Sequence, residues 1–588
     1  MLKPVPAVSS SSSNAEDFSD SAAGRTVTES GQIRARVFIA ILLSTLACAF
    51  VFWNLIPPTY LTNDDVAIKR DLEGFMAPDG TPTGYAVWPH ALLGWTLVWV
   101  QRVVAVHGWD IVVAGLLVWS VALVLTAAWS LSVGRADRFL AILATLLVVV
   151  PLFEGMQYTI SATLAGGAAM LAIMMELLAR APRRSALVAS AALLLAGLLV
   201  RAEAATLGGM VTVVLLVPLA VQDRGTRKAR LRWLIVAAAT LAVTSAAIGF
   251  VDDAIYRLSP PWADYRLDWL ATRRFLDWGS DLPANVVSAL RAQLGWTAND
   301  WELLRRFWGV DPSIHSQARL DMLFRAWPTV VDSRMRLEWF VQRAVAGITG
   351  TMFLQLLGES TRALAAAALI VIAAADRRVA AASIAAAAVF YIACMAIEIT
   401  FKELPFRVFA PLQVCFVLSI LFGSRISNGA ASKLPAMLTA TVAAILVAGE
   451  ARSLGFTALA RSRQANEVDS QVSELLQLHP SLLVLHSDSF PSEFWWRPFH
   501  TPAVRLPAIQ LGNENHNPYM ERFLMRSYPG SLLQAICTDR SILVVGEFDR
   551  FEPVTNYMRE HFDQVVEWTK AYDGSFRAWR CSPATLFR

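Results

Sequence analysis

Apolar residues run along this chain in long stretches, each closed by a short cluster of polar or charged positions. The first stretch covers residues 37–56. Others follow at 111–132, 139–153, 159–178, 185–200, 205–221, 233–251, 362–375, 379–397, 408–422 and 434–449. A helix of about 20 apolar residues is long enough to cross a bilayer, so the pattern predicts about eleven spans, the shortest being 139–153 and 362–375. A weaker apolar piece at 91–106 is interrupted by Gln101 and Arg102 and reads as a helix lying along the membrane surface. Trp88, Trp95, Trp99 and Trp109 beside it suit that placement.

Three polar regions break the pattern. Residues 57–110 form a first large loop and residues 252–342 a second. Within the second, 303–308 and 335–341 carry mixed apolar and basic positions that suit short amphipathic helices, and 347–357 reads as a further interfacial segment. Residues 450–588 have the composition of a small soluble domain. Their apolar runs 482–485 and 542–545 read as buried strands, and 468–478 and 554–562 as helices. Residues 1–36 are Ser-rich and poor in apolar positions, which predicts a disordered tail. The expected fold is therefore mainly α: a polytopic membrane helical bundle over 37–449 with a small C-terminal α/β domain over 450–588.

Composition agrees with that class. Of the 588 residues, 55% are hydrophobic and 17% charged, and the mean hydropathy is +0.46. A soluble protein of this size carries more charge. The distribution of charge then sets orientation. Arg25, Arg34 and Arg36 precede the first run, and Arg224, Arg227, Lys228, Arg230 and Arg232 crowd one short loop. By the positive-inside rule both are cytoplasmic, so the N-terminus is expected inside and both large loops and the C-terminus outside. The first run continues well past Cys48 without a good cleavage site, so it reads as a signal anchor. Cys48, Cys394 and Cys415 fall within apolar runs. Cys537 and Cys581 lie in the polar C-terminal region, where an oxidising compartment would allow them to pair.

The candidate chemistry sits on the outer side. Asp64 and Asp65 open the first loop in the stretch Leu61-Thr62-Asn63-Asp64-Asp65. Two adjacent carboxylates beside a membrane are costly unless they are solvated or do chemistry. Glu154, Arg201, Glu203, Asp252, Asp253, Lys402, Glu403 and Arg407 also fall at the outer ends of spans. A carboxylate can take the proton of an attacking hydroxyl, and Arg or Lys can hold a phosphate leaving group. Apolar spans would hold a lipid tail. One Asp would be the base and the other would bind a metal or orient the acceptor; the residues do not say which. No His shows metal-ligand spacing, and no P-loop is present, which argues against ATP-driven transport. Gly166-Gly167 and Gly208-Gly209 lie within spans and suit close helix packing. Trp495 and Trp496 suit a core or membrane-surface role better than sugar stacking.

This arrangement resembles the GT-C superfamily of membrane glycosyltransferases. The resemblance rests on Asn63-Asp64-Asp65 in the first outer loop, Glu154 in the second, Leu199-Val200-Arg201-Ala202-Glu203, and Phe406-Arg407 before Pro411. It implies a hexosyl- or pentosyltransferase that uses a polyprenyl-phosphate-linked sugar donor, with a first-loop Asp as general base. Glu154, Arg201, Glu203, Lys402 and Arg407 would bind substrate. The implied acceptor is a glycan, lipid or protein, not nucleic acid. The implied setting is the lipid bilayer of a bacterial cytoplasmic membrane, with the site facing outward. A divalent metal, Mg or Mn, held by Asp64 or Asp65, is compatible with it. Two alternatives remain: a transporter or flippase for lipid-linked glycans, and a glycan polymerase or ligase.

Overall fold

The computed structural model describes residues 16–584, apart from 76–79, 132–134, 178–181, 223–226, 277–281, 312, 331–340, 343–344, 346–360, 375–376, 402–404, 427–432, 487–488, 503–507, 513–514 and 529–530. The expectations placed on Lys402, Glu403 and 347–357, and most of 335–341, lie outside the described residues.

The protein is a polytopic helical bundle with a small C-terminal sheet region. Eight described helices are long and apolar enough to cross a membrane. The first, Glu16–Leu55, begins well ahead of the apolar run, so residues 16–36, expected as a disordered tail, continue the span helix instead. Propagating an existing helix costs far less than nucleating one, and no Pro interrupts this segment.

One of the eight, Arg184–Pro218, is a hairpin rather than a single crossing. Its backbone leaves helical geometry at Arg201, with φ −160° and ψ 101°. A Cβ built on Gly197 would lie 3.4 Å from the Ala205 Cβ. In a straight helix those positions stand about 12 Å apart. The two limbs match the separate runs 185–200 and 205–221. Both pack on the helix Tyr158–Leu177 through glycine. A Cβ at Gly166 would fall 1.9 Å from the Ala205 carbonyl oxygen, and one at Gly208 2.0 Å from that of Thr163. Only hydrogen fits there, so the glycine pairs set the interhelical distance. The helices at Thr361–Ile372 and Phe406–Phe422 are shorter than the eight. They occupy the positions of two further expected spans.

The helix Lys433–Leu476 runs without a break from the last apolar run into the C-terminal region. It absorbs the helix expected separately at 468–478. It leads into β1 (Leu482–His486), and the sheet is completed by β2 (Ala508–Leu511), β3 (Ile542–Val545), β4 (Val566–Asp573) and β5 (Arg577–Pro583) in the order β2-β1-β3-β5-β4. β1 pairs in parallel with β2 and β3, and β5 pairs antiparallel with β3 and β4. Cys537 and Cys581 form a disulfide.

Both faces of the two central strands are buried, which explains their continuous apolar sequence. Leu483, Leu485, Leu543 and Val545 point into the same core as the membrane helices. Leu482, Val484, Ile542 and Val544 point the other way, against Phe275, Trp301, Trp308 and Leu323 of the second large loop. The sheet is thus wedged between the bundle and that loop. In the loop, the helix Ala298–Arg305 carries a Thr297 capping box, and Trp308, expected within a helix, follows it in irregular structure.

Candidate active site

The first-loop acids lie on the helix Asn63–Glu73, in its first turn, where backbone N–H groups favour negative charge. Gly74 ends the helix at φ +75°, a conformation that side chains disfavour. The helix is held from below and above. Lys69 is fully buried and sits 2.8 Å from Asp110 and 3.7 Å from Glu73, and it also donates to the Arg497 carbonyl. Tyr60 donates to the same Asp110. Arg70 stacks over Trp496 at 4.5 Å and donates to the Ala508 carbonyl. Trp495 and Trp496 are themselves buried. The C-terminal domain therefore fixes the pose of the helix that carries the acids.

Asp64 and Asp65 part ways in this setting. Asp65 is fully buried; its carboxylate accepts from the Tyr158 backbone N–H at 3.1 Å and from the Thr62 hydroxyl at 3.2 Å. Burial pushes its pKa well above the usual carboxylate range, and the neighbouring Asp64 adds to that. Asp65 pins the first-loop helix to the top of the helix Tyr158–Leu177. Asp64 instead lines a cavity of about 300 Å³. Arg407 reaches it across that cavity, with Nη1 3.8 Å from Asp64 Oδ2. Arg201 lines the same cavity. The break in its hairpin carries it there, and its Nη1 donates to the Tyr158 hydroxyl at 2.8 Å and the Thr159 hydroxyl at 2.6 Å.

Among the described residues, the other expected ones do not line this cavity. Glu154 pairs with Arg461 at 3.4 Å, and Glu203 is exposed beside the turn at Arg201. Asp252 accepts from the Ala91 N–H at 2.8 Å and, with Asp253, pairs with Arg266. These are helix-end and loop contacts.

The rest of the cavity wall comes from regions that the sequence reading did not connect to it. The helix Pro260–Arg274 of the second loop supplies Asp268, Trp269, Thr272 and Arg273, and the C-terminal domain supplies Asn515 and His516. Trp88 of the first loop meets Trp269 edge-on, with ring centroids 5.1 Å apart. The one available sequence signal was the i,i+4 repeat of Asp268 with Thr272 and Trp269 with Arg273, which places all four near one helix face. Burial raises the Asp268 pKa to about 6. His516 is also raised; burial opposes this, but its bond to Glu521 and the nearby Asp268 outweigh it.

Two described clusters of His, Asp and Glu have the closeness of metal ligands: Glu73, His107 and Asp110, and Asp300, Glu560 and His561. Neither includes Asp64 or Asp65. In the first cluster the Lys69 ammonium already supplies the cation. The charged group that faces Asp64 across the cavity is the Arg407 guanidinium.

Comparison with protein-family models and with curated proteins finds no match. Two solved structures are similar over most of both chains. They are crystal structures of ArnT from Cupriavidus metallidurans in the apo state, at 15% identity and a TM-score of 0.39, and bound to undecaprenyl phosphate, at 14% and 0.37. Each alignment covers 92% of this chain and 97% of the other.

Proposed function

We propose that this chain is a membrane glycosyltransferase of the GT-C kind. It moves a sugar from a polyprenyl-phosphate carrier to a hydroxyl of a glycan, lipid or protein acceptor. One observation carries the reading: Asp64, Arg201 and Arg407 come from three separate membrane-flanking segments and share one cavity. A carboxylate and two guanidiniums at the head of an apolar bundle are what transfer from a lipid-linked phosphate needs.

In the reaction, Asp64 takes the proton of the acceptor hydroxyl as its oxygen bonds to the sugar C1. The bond between C1 and the phosphate oxygen breaks, and polyprenyl phosphate leaves. Arg201 and Arg407 meet the negative charge that develops on the leaving group. We assign this to protein cations rather than to a divalent metal, because the Arg407 guanidinium faces the carboxylate. The site belongs on the outer face: the Arg-rich loops lie at the opposite ends of the spans, and the Cys537–Cys581 disulfide suits an oxidising compartment.

The test uses the full-length protein in liposomes, a panel of polyprenyl-phosphate sugars, and membranes lacking the protein as acceptor source. Release of polyprenyl phosphate is the readout, since every such transfer yields it. The proposal expects release from at least one donor. Movement of the intact carrier across the vesicle, with no covalent product from any donor, would establish a transporter instead.

A further inference from the structure

Beyond Asp64, Arg201 and Arg407, the cavity wall carries Asp268, Asn515 and His516. Its polar groups differ in whether the protein already satisfies them. Asn515 accepts from the Gly512 N–H at 3.1 Å and donates to the Phe307 carbonyl at 3.1 Å. His516 faces Glu521 through one ring nitrogen at 3.3 Å and the Gly309 carbonyl through the other at 2.8 Å. Both partners are acceptors, so the ring is held as a double donor. Asp268 is the exception: its Oδ1 is buried and makes no hydrogen bond among the described residues.

A buried oxygen without a donor costs free energy unless a ligand supplies one. A carboxylate accepts only, so a ligand meets it with a donor such as a hydroxyl or an amine. The surroundings narrow the choice. Trp269 follows Asp268 directly, Trp88 meets it at 80° with centroids 5.1 Å apart, and the Arg273 guanidinium lies 5.3 Å over the Trp269 ring. Two indoles at right angles give an apolar corner beside one acceptor. A sugar ring, with C–H on its faces and hydroxyls on its rim, fits both features.

We propose that Asp268, Trp269 and Trp88 form a sugar-ring subsite in which Asp268 accepts ring hydroxyls and the two indoles hold the ring. This deepens the glycosyltransferase reading and rests on it for the origin of the sugar, which is either the lipid-linked donor or the acceptor. Asp268 is a specificity-determining residue here, distinct from the proton-accepting Asp64.

The experiment is saturation-transfer NMR on the full-length protein in detergent micelles, with methyl glycosides of glucose, galactose, mannose and arabinose as probes. At least one should receive saturation on its ring protons. Asp268→Ala and Trp269→Ala should each weaken that binding tenfold or more while leaving the affinity for bare undecaprenyl phosphate unchanged, which also shows that the variants fold. Arg407→Ala should do the reverse. No saturation of any glycoside, or equal loss of both ligands in Asp268→Ala and Trp269→Ala, would overturn the subsite. If the glycoside results hold but wild type does not bind undecaprenyl phosphate, the subsite stands and the lipid-donor reading fails. Displacement of the glycoside by a polyprenyl-phosphate sugar, but not by bare polyprenyl phosphate, assigns the subsite to the donor ring. Displacement by neither assigns it to the acceptor.

Discussion

Arg407 Nη1 lies 3.8 Å from Asp64 Oδ2 across the cavity, joining residues more than 300 positions apart. On the proposed mechanism the guanidinium pairs with Asp64 before the donor binds and turns to the donor phosphate after. Arg407→Ala and Arg201→Ala should therefore raise KM for the lipid-linked donor by about tenfold or more, the size expected when a charge-assisted hydrogen bond is lost. Initial-rate kinetics at varied donor concentration checks this. An effect confined to the acceptor KM would place the arginines elsewhere in the reaction.

Asp65 should behave as a structural residue. In Asp65→Asn the amide group keeps one acceptor for two donors, and the fold should lose about 1–3 kcal/mol. Thermal unfolding in detergent measures that loss, while the rate per folded molecule should stay within about tenfold of wild type.

The buried Lys69–Asp110 pair locks the first-loop helix to the bundle and, through the Arg497 carbonyl, to the C-terminal domain. Removing one partner leaves the other charge buried without its nearest counterion, with Glu73 left near Lys69 or Tyr60 left on Asp110, at a cost of up to about 3–5 kcal/mol. Lys69→Met and Asp110→Asn should each lower the unfolding midpoint sharply, and the double variant should recover part of the loss.

Reducing the Cys537–Cys581 disulfide, or replacing both cysteines with Ala, should destabilise the C-terminal domain. The bond closes 44 residues, for which the chain-entropy model gives about 4 kcal/mol. Protease susceptibility of that domain, with and without reductant, reads the effect.

The stability that Asp268 contributes should fall as pH rises from acid toward neutral, against the opposite trend of buried His315, whose pKa is held down to about 4. Asp268 holds its proton to about pH 6 in the fold, against about 3.9 when unfolded, so its favourable contribution is complete below about pH 4 and lost through about pH 6. His516, Glu521, Asp264 and Asp321 are the charged groups that tune it. His516, also raised, extends the same fall above its ordinary value near 6.5. The difference in unfolding midpoint between wild type and Asp268→Asn, measured from pH 4 to 8, should show this slope.

Much of this architecture was legible in the sequence because membrane spans and buried strands follow from runs of apolar residues. Leu482 to Leu485 and Ile542 to Val545 were read as strands and pair in parallel. Gly166 and Gly208 were read as packing positions and leave no room for a Cβ. Asp64, Arg201 and Arg407 stood out because acids and bases at the outer ends of different spans can converge on one cavity. Asp268 and Trp269 did not, because in a polar loop an Asp and a Trp are ordinary. Only the folding of the second loop against the C-terminal domain gives them a cavity to line. Asp64 and Asp65 could not be separated either, since adjacent helical residues point about 100° apart and only packing decides which faces inward.

The central claim is that Asp64 alone takes the acceptor proton. The most direct measurement is single-turnover release of polyprenyl phosphate by Asp64→Asn and Asp65→Asn, with donor binding measured on the same samples. The account predicts that Asp64→Asn binds donor yet releases polyprenyl phosphate about 10²–10⁴-fold more slowly, while Asp65→Asn stays near wild type once corrected for folded protein. Unimpaired release by Asp64→Asn would contradict it.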